Sequence, residues 1–380
     1  METSFLNISI TPLECSVVCP SSWARAVFQP AIARLPEDQA KTISVSKDAY
    51  AVFSVISAGM DAGSRVVDLT CPLALAGIPI FFITTYYSDF ILVPTKDRRA
   101  VVATLRAKGG FVFVEEDEGG DENGFDGYGS RRGSVTMASG MGYHYASASS
   151  GSGGLSGMLT PRMPTTPPPS DAGELQLKTF ETLKRRNVVP FVEPGLRLVH
   201  CSGREKTSIH GGGGGEGGRG HGHSGGSVSM TGGNGTGYGG DADGGAGYYP
   251  RRRRNSWIDT IDTKLYTSII SALVSQPRFL SVTLAQDDPP SLLLDKALLD
   301  MFGDSLVGPT EGTLVPIFLD LVNLPFEATG IVSGVAGRLV RDMPMAENVE
   351  LSYLSTARAG AVILSCEQAV TALEILEPLL

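Results

Sequence analysis

Two turns in this chain place polar side chains between apolar strands. IPIFFITTYYSDFILV (78–93) predicts a buried strand over Ile78–Thr84, a short turn and a second strand that Pro94 closes. VELSYLSTARAGAVIL (349–364) has the same pattern. Several side chains in these turns carry a hydroxyl, carboxyl or guanidinium group. In the first turn they are Thr84, Thr85, Tyr86, Tyr87, Ser88 and Asp89, and in the second they are Ser355, Thr356 and Arg358. This recurrence predicts a duplicated unit rather than an isolated motif.

A second feature with chemical potential is the glycine-rich stretch EATGIVSGVAG (327–337). The free N–H groups and the dipole of a helix N-terminus attract a carboxylate. Thr329 is placed to cap such a helix, and Gly330 permits close approach of the backbone to a ligand. The alternative is that Ser333, Gly334 and Gly337 only let a helix pack closely on a sheet, without a ligand.

Catalytic patterns are missing from the parts of the sequence that look ordered. They contain no P-loop, GxSxG, HExxH or strand-associated GxGxxG motif, so we expect a protein that is not an enzyme and has no catalytic residues. His200 and Cys201 are neighbours in a predicted strand, so their side chains should face opposite ways. The histidines His210, His221 and His223 lack a carboxylate or thiol at ligand spacing. We therefore expect no metal site and no cofactor.

Composition narrows the functional class further. With 380 residues the chain has room for two or three domains, and its formal charge of −9 argues against nucleic acid or a membrane surface as partner. Five cysteines form neither a CxxC pair nor a disulfide pattern. The sequence contains neither a secretory leader nor a membrane span, so we expect a cytoplasmic protein.

Two segments differ sharply from the rest in composition. Residues 116–173 and 203–255 are rich in Gly, Ser, Thr and Pro, and such segments cannot bury enough apolar surface to offset chain entropy. We predict that both are disordered inserts. Basic pairs precede Ser134 and Ser256, and a proline follows Thr160 and Thr166, so these four residues are candidate phosphorylation sites.

The remaining blocks predict alternating strands and helices. We expect Pro30 to kink or end the first helix, and from Tyr50 onward the order is β-α-β-β-α-β. The elements predicted for the first block are a strand near Ile8–Val18, a helix from Ser21, strands at Thr42–Ser46 and Tyr50–Ser57, a helix at Ser64–Ala76, the strand pair of 78–93, a helix at Asp97–Lys108 and a strand at Gly110–Val114.

The second half repeats this plan. GLRLVHCS parallels LECSVVCP, SWIDTIDTKLYTSIISAL parallels SWARAVFQPAIARL, PRFLSVTLA parallels KTISVSKDA, and TLVPIFLDL parallels AYAVFSVIS. PPSLLLDKALLDMF (289–302) has no counterpart in the first half. The predicted organisation is a partial first unit (5–48), a second unit (49–115), the insert 116–173, a third unit (174–311) interrupted by the insert 203–255, and a fourth unit (312–380).

The residues GIPIFFITTYYSDFILV and LPFEATGIVSGVAGRLV…ELSYLSTARAGAVIL resemble the paired ACT domains of the CASTOR type. The resemblance implies an α+β fold of tandem ferredoxin-like βαββαβ units in two pseudo-symmetric halves. It also implies a cytosolic amino-acid sensor that binds arginine between modules and acts through a protein partner upstream of the TOR kinase. A homodimer is one open assembly state.

The resemblance further implies that the strand Ile78–Ile83 faces the loop Thr329–Ser333. Strand carbonyls would hold the ammonium of an amino acid, and the N–H groups from Gly330 to Val332 would hold its carboxylate. Only Asp89 supplies a carboxylate, which favours a neutral or weakly polar ligand over arginine. We expect Gly330→Val to block the site and spare the fold. The candidate ligand-binding residues are Pro79, Ile80, Asp89, Thr329, Gly330, Ile331, Val332, Ser333 and Gly360.

Two other functions stay open at this stage. One is a ligand-free scaffold that holds a protein partner on a sheet edge or in an interdomain groove. The other is a regulatory subunit of an amino-acid biosynthetic enzyme.

Overall fold

The computed structural model describes residues 5–57, 62–115, 133–137, 169–204, 262–286, 288–325, 327–343 and 350–380. All of these belong to one compact unit of the chain, which spans residues 1–204 and 262–380. None of the helices in these ranges is long and apolar enough to cross a bilayer.

The first unit is a hairpin followed by a broken helix. Its elements are β1 (Leu6–Ile10), β2 (Cys15–Val18), α1 (Ser21–Trp23), a π-helical turn (Ala24–Phe28), α2 (Gln29–Ile32) and α3 (Glu37–Ala40). The π-helical turn ends two residues before Pro30, and α2, which contains Pro30, ends at Ile32. We expected Pro30 to kink or end this helix.

The strand predicted at Thr42–Ser46 is wrong, because residues 42–49 contain no strand. Ile43 and Val45 alternate as in a strand, but both are exposed, by 44% and 45%. No neighbouring strand in the described part of the chain is there to pair with them.

The second unit closely follows its prediction. Its elements are β3 (Tyr50–Ser57), α4 (Ala62–Leu75), β4 (Phe81–Thr84), β5 (Asp89–Pro94), a 3₁₀ turn (Thr95–Asp97), α5 (Arg98–Lys108) and β6 (Phe111–Glu115).

One strand lies inside a segment predicted to be disordered. β7 (Gly133–Met137) pairs in parallel with β3 and antiparallel with β6. The prediction is therefore wrong for these five residues, where hydrogen bonds from strands on both sides compensate for the weak side-chain signal. The rest of both inserts lies outside the described residues, apart from the few at their edges.

The third unit has its own helices and strands, and one of these helices, over residues 172–185, was not predicted. Its elements are α6 (Ala172–Arg185), β8 (Pro190–Phe191), β9 (Leu198–Gly203), α7 (Thr263–Val274), β10 (Leu280–Leu284), β11 (Ser291–Asp295), two 3₁₀ turns (Lys296–Met301 and Gly303–Ser305) and β12 (Leu306–Val307).

The fourth unit has the order β-α-β-β-α, as the second unit does before its last strand. Its elements are β13 (Leu314–Asp320), α8 (Ile331–Asp342), β14 (Ser352–Ser355), β15 (Ala359–Ser365), α9 (Cys366–Leu376) and a final 3₁₀ turn (Glu377–Leu379).

The strands of all four units join one largely antiparallel sheet. Its order is β2-β1-β10-β11-β9-β13-β15-β14-β4-β5-β3-β7-β6, with β12 and β8 pairing beside β9 and β13. The second and fourth units meet where β4 pairs with β14, through the single residue pair Ile83 and Leu354. This mixed α and β architecture with an antiparallel sheet is consistent with the expected ferredoxin-like fold.

Side-chain hydroxyls reinforce that short junction symmetrically. Thr84 Oγ1 accepts a hydrogen bond from the Tyr353 backbone N–H at 2.9 Å. The equivalent Ser355 Oγ accepts one from the Phe82 N–H at 3.0 Å. Each unit thus uses its turn hydroxyl to satisfy a backbone donor of the other, which explains one polar position in each turn.

Apolar residues cover both faces of this joined sheet. On one face α4 and α8 pack together, and Leu69, Leu73, Val335 and Leu339 are fully buried there. On the other face, the aromatic rings of Phe5 and Phe90 meet at 5.0 Å between centroids. Apolar residues of the first and third units therefore pack against the part of the sheet that the second and fourth units form.

Candidate functional site

A cavity of about 130 Å³ lies at the junction of the second and fourth units. Its walls come from the segment before β4, the loop before α8, the first turn of α8 and the turn between β14 and β15. Seven of the nine candidate binding residues line it, namely Pro79, Ile80, Thr329, Gly330, Ile331, Val332 and Ser333.

The cavity exists because the sheet is interrupted there. In the register that pairs Ile83 with Leu354, residues 79–81 would face residues 356–358, but β14 has already ended at Ser355. Pro79 has no N–H to donate, so the segment before β4 is poorly suited to continue a ladder. A gap therefore opens between this segment and the fourth unit.

The start of α8 gives one wall an electropositive character. Gly330 is the N-cap residue with a left-handed φ of 86°, and no side chain caps the helix. The prediction that Thr329 caps is therefore wrong, since Gly330 stands at that position. Residues 331–333 form the first turn and line the cavity, where free N–H groups and the helix dipole favour an anion.

The absent side chain of Gly330 faces α6, away from the cavity. A Cβ there would lie 2.8 Å from Leu175 Cδ1 and 3.0 Å from Thr179 Oγ1. The expectation that Gly330→Val blocks the site and spares the fold is therefore wrong: the left-handed φ and the contact with α6 make the change destabilising. Thr179 also lies within 2.7 Å of a Cβ built at Gly334, so close packing explains that second glycine.

Charged side chains at the cavity were not predicted from the sequence. Asp48, Lys96 and Glu327 line it and are exposed. Burial raises the pKa of the Tyr50 phenol, and the negative charges of Asp48 and Glu327 raise it further, so both carboxylates lie near that ring. Asp48 and Lys96 flank strands rather than belong to the repeated motif, and periodicity gives no signal for them.

Asp89 is not part of the cavity wall. It is 1% exposed and forms an ion pair with Arg65 of α4, whose side chain is 19% exposed. Burial raises the pKa of the Asp89 carboxyl, and the Arg65 guanidinium opposes that rise. The only carboxylate among the nine predicted site residues is thus already engaged by the protein.

Gly360 is also absent from the cavity wall. A Cβ at Gly360 would lie 2.6 Å from the hydroxyl of Tyr353, so the phenol fills the place of a side chain. Burial raises the pKa of this phenol, and its oxygen has no hydrogen-bond partner among the residues that the structure describes.

Most of the remaining polar groups in the two turns are structural. Thr85 Oγ1 donates to the Ser88 carbonyl at 2.6 Å, and Tyr86 donates its N–H to Ser291 Oγ at 2.9 Å. The rings of Tyr86 and His200 meet edge to face at 5.7 Å. The turn of the second unit is thereby docked on the third.

The strand residues His200 and Cys201 face opposite sides, as predicted. Cys201 is fully buried in the core beneath α7, whereas His200 contacts Tyr86. Burial lowers the pKa of His200 to about 4 and raises that of Cys201 to about 12. This arrangement does not form a cysteine–histidine pair.

The candidate phosphorylation sites fall in two classes. Ser134 lies in β7, where its backbone position pairs with Ser54 of β3 and Val114 of β6. A kinase would therefore meet it only after the strand had left the sheet. Thr160, Thr166 and Ser256 lie outside the described residues, as do the three histidines of the glycine-rich tract.

Comparison with known proteins finds a family match for one part of the chain. Residues 45–107 match the family model of the ACT domain. The match extends from just before β3 almost to the end of α5. No curated protein matches the chain. An ACT domain is a regulatory module that binds small molecules, often amino acids. The matched segment contributes residues to one wall of the cavity.

Proposed function

We propose that this protein is a non-catalytic amino-acid sensor of the CASTOR type, with tandem ACT units that bind their ligand in the cavity between the second and fourth units. The observation that carries the proposal is this cavity, which lies beside an ACT-domain match and is lined by the start of α8. The occupied protein passes its signal to a protein partner in cytoplasmic nutrient signalling through TOR.

The charges around the cavity match those of a free amino acid. The N-terminal turn of α8 suits the α-carboxylate, and the carboxylates of Asp48 and Glu327 suit the ammonium group. Ile80 and Leu324 offer apolar contacts to the side chain.

Size and charge favour a small neutral ligand over arginine. A cavity of roughly 150 Å³ holds a molecule the size of benzene, and this cavity measures about 130 Å³. A guanidinium would need a buried carboxylate, and Asp89 is already paired with Arg65. The side chain of valine is uncharged and, with three carbon atoms, smaller than benzene, so valine is the first amino acid to test.

A thermal-shift screen of the twenty L-amino acids tests the proposal. A ligand that binds only the folded state at a hundred times its Kd stabilises it by about 2.7 kcal/mol and raises the melting temperature. We expect the largest shift from small neutral amino acids, valine among them, and none from arginine. We also expect no turnover of ATP or of any amino acid.

A cavity-filling variant locates the site. Ala357 lines the cavity in an exposed turn, so Ala357→Leu should abolish the shift with little effect on the unliganded melting temperature. The matched control is Ala103→Leu, on the exposed part of α5 and away from the cavity, which should keep the shift.

The results distinguish a wrong function from a wrong binding site. If no amino acid shifts wild-type protein, the sensor function is wrong, and a ligand-free scaffold takes its place. If Ala357→Leu keeps the full shift, the ligand binds elsewhere.

A further inference from the structure

One carboxylate of the N-terminal hairpin contacts the turn that forms part of the cavity wall. Glu14 Oε1 accepts a hydrogen bond from Thr356 Oγ1 at 2.5 Å and another from the Arg358 N–H at 2.6 Å. Glu14 is 342 and 344 residues away from these partners in sequence. Charge-assisted hydrogen bonds of this kind are stronger than neutral ones.

The turn that Glu14 holds is part of the cavity wall. Ser355, Thr356, Ala357 and Ala359 all line the cavity. Inside the turn, the Thr356 N–H donates to the Ala359 carbonyl at 2.9 Å. Glu14 fixes the same turn from outside, so its carboxylate helps to set the position of this wall.

Glu14 is itself held firmly. The Thr11 hydroxyl donates to the Glu14 carbonyl at 3.0 Å and accepts from the Glu14 N–H at 3.1 Å, closing the turn between β1 and β2. β1 is paired on both sides, with β2 and with β10 of the third unit. Movement of the cavity turn is thus resisted by the hairpin and by the third unit behind it.

A turn of the second unit is held by a similar hydrogen bond, which lies outside the cavity wall. This turn is held by Ser291, whose Oγ accepts the Tyr86 N–H at 2.9 Å. Neither Tyr86 nor Ser291 lines the cavity. This contact provides an internal comparison, since it also holds a turn through one side-chain oxygen but lies outside the cavity wall.

We propose that Glu14 is a positioning residue that couples amino-acid binding in the cavity to docking of the β1–β2 hairpin, an inference that rests on the proposed function. Coupling between two sites is reciprocal. An amino acid that needs the turn in its docked position therefore tightens the hairpin, and a partner that lifts the hairpin weakens amino-acid binding. The hairpin becomes the element through which occupancy is reported.

Calorimetric titration and hydrogen exchange test this coupling, with L-valine as the first probe and the other nineteen amino acids after it. In wild-type protein, the bound amino acid should slow amide exchange in residues 6–18. Glu14→Ala should weaken binding by about tenfold and remove this slowing. Glu14→Gln retains an acceptor oxygen without the charge, so its affinity should fall by only about threefold. Ser291→Ala should bind like wild type.

The results distinguish this inference from the function beneath it. If none of the twenty amino acids binds wild-type protein, both are overturned. If one binds, and Glu14→Ala matches wild type in affinity and in hairpin exchange, only the coupling is overturned. The wild-type exchange experiment needs no variant, so bound amino acid without added protection in residues 6–18 overturns the coupling even if the Glu14 variants do not fold.

Discussion

Replacing Arg65 by methionine should expose the energetic cost of the buried Asp89 carboxylate. The wild-type pair joins α4 to the start of β5, with Asp89 1% exposed. Methionine keeps much of the apolar stem of arginine but removes its charge. Breaking a buried pair in this way typically costs about 3–5 kcal/mol, because the remaining charge has lost its partner. We therefore expect Arg65→Met to lower the free energy of unfolding at pH 8 by about 3–5 kcal/mol.

The loss should depend on pH in a defined direction. Burial already raises the pKa of Asp89, and loss of the Arg65 guanidinium removes the main influence that lowers it. Between the unfolded and folded pKa values the folded variant binds more protons than the unfolded chain, so its stability falls as pH rises. The limiting slope is about 1.4 kcal/mol per pH unit. The variant should therefore lose less stability at pH 5 than at pH 8.

Urea unfolding followed by circular dichroism at pH 5 and pH 8 measures both quantities. The matched control is Lys108→Met, which breaks a more exposed ion pair with Asp68 and should cost about 0–1 kcal/mol at either pH. A loss below about 1 kcal/mol for Arg65→Met, equal at the two pH values, would refute the assignment of Asp89 as a buried charge that depends on Arg65.

Two further predictions concern other buried groups. Tyr353→Phe removes a hydroxyl that has no hydrogen-bond partner in the described part of the chain, so urea unfolding should show equal or greater stability, by up to about 2 kcal/mol, and a loss above 1 kcal/mol would reveal a partner. Native protein treated with iodoacetamide at pH 8 should be alkylated at exposed Cys366 and not at Cys201, whose pKa burial raises to about 12; equal labelling by mass spectrometry would contradict this.

Much of the second and fourth units could be predicted because their patterns are strong and locally determined. Continuous apolar runs with a polar turn between them predicted β4, β5, β14 and β15. Helical periodicity predicted α4, and the repeat then predicted α8. Thr42–Ser46 has an equally regular alternation and forms no strand, because a strand also needs a neighbour, and that neighbour is a tertiary property. β7 shows the converse, since its pairing on both sides is invisible in a Gly/Ser-rich sequence.

The candidate site was predictable only in part, for a related reason. The resemblance to paired ACT domains implied that residues 79–80 and 329–333 would meet, and the structure brings them to one cavity. Asp89 was misplaced because its partner, Arg65, lies a full helix away in sequence. The charges of Asp48 and Lys96 reach the cavity from segments flanking β3 and β5, where no sequence period operates. Glu14 comes from the opposite end of the chain.

The pairing of β1 with β10 has a consequence for how the chain is made. Asn7 finds its hydrogen-bond partner Ser281 only 274 residues later. At roughly 5–20 residues per second, a ribosome needs about 14–55 s to synthesise that interval. During this time β1 has an edge without its final partner, which is the kind of surface that invites aggregation or chaperone binding. The β1–β2 hairpin is thus synthesised well before the strand that completes its place in the sheet.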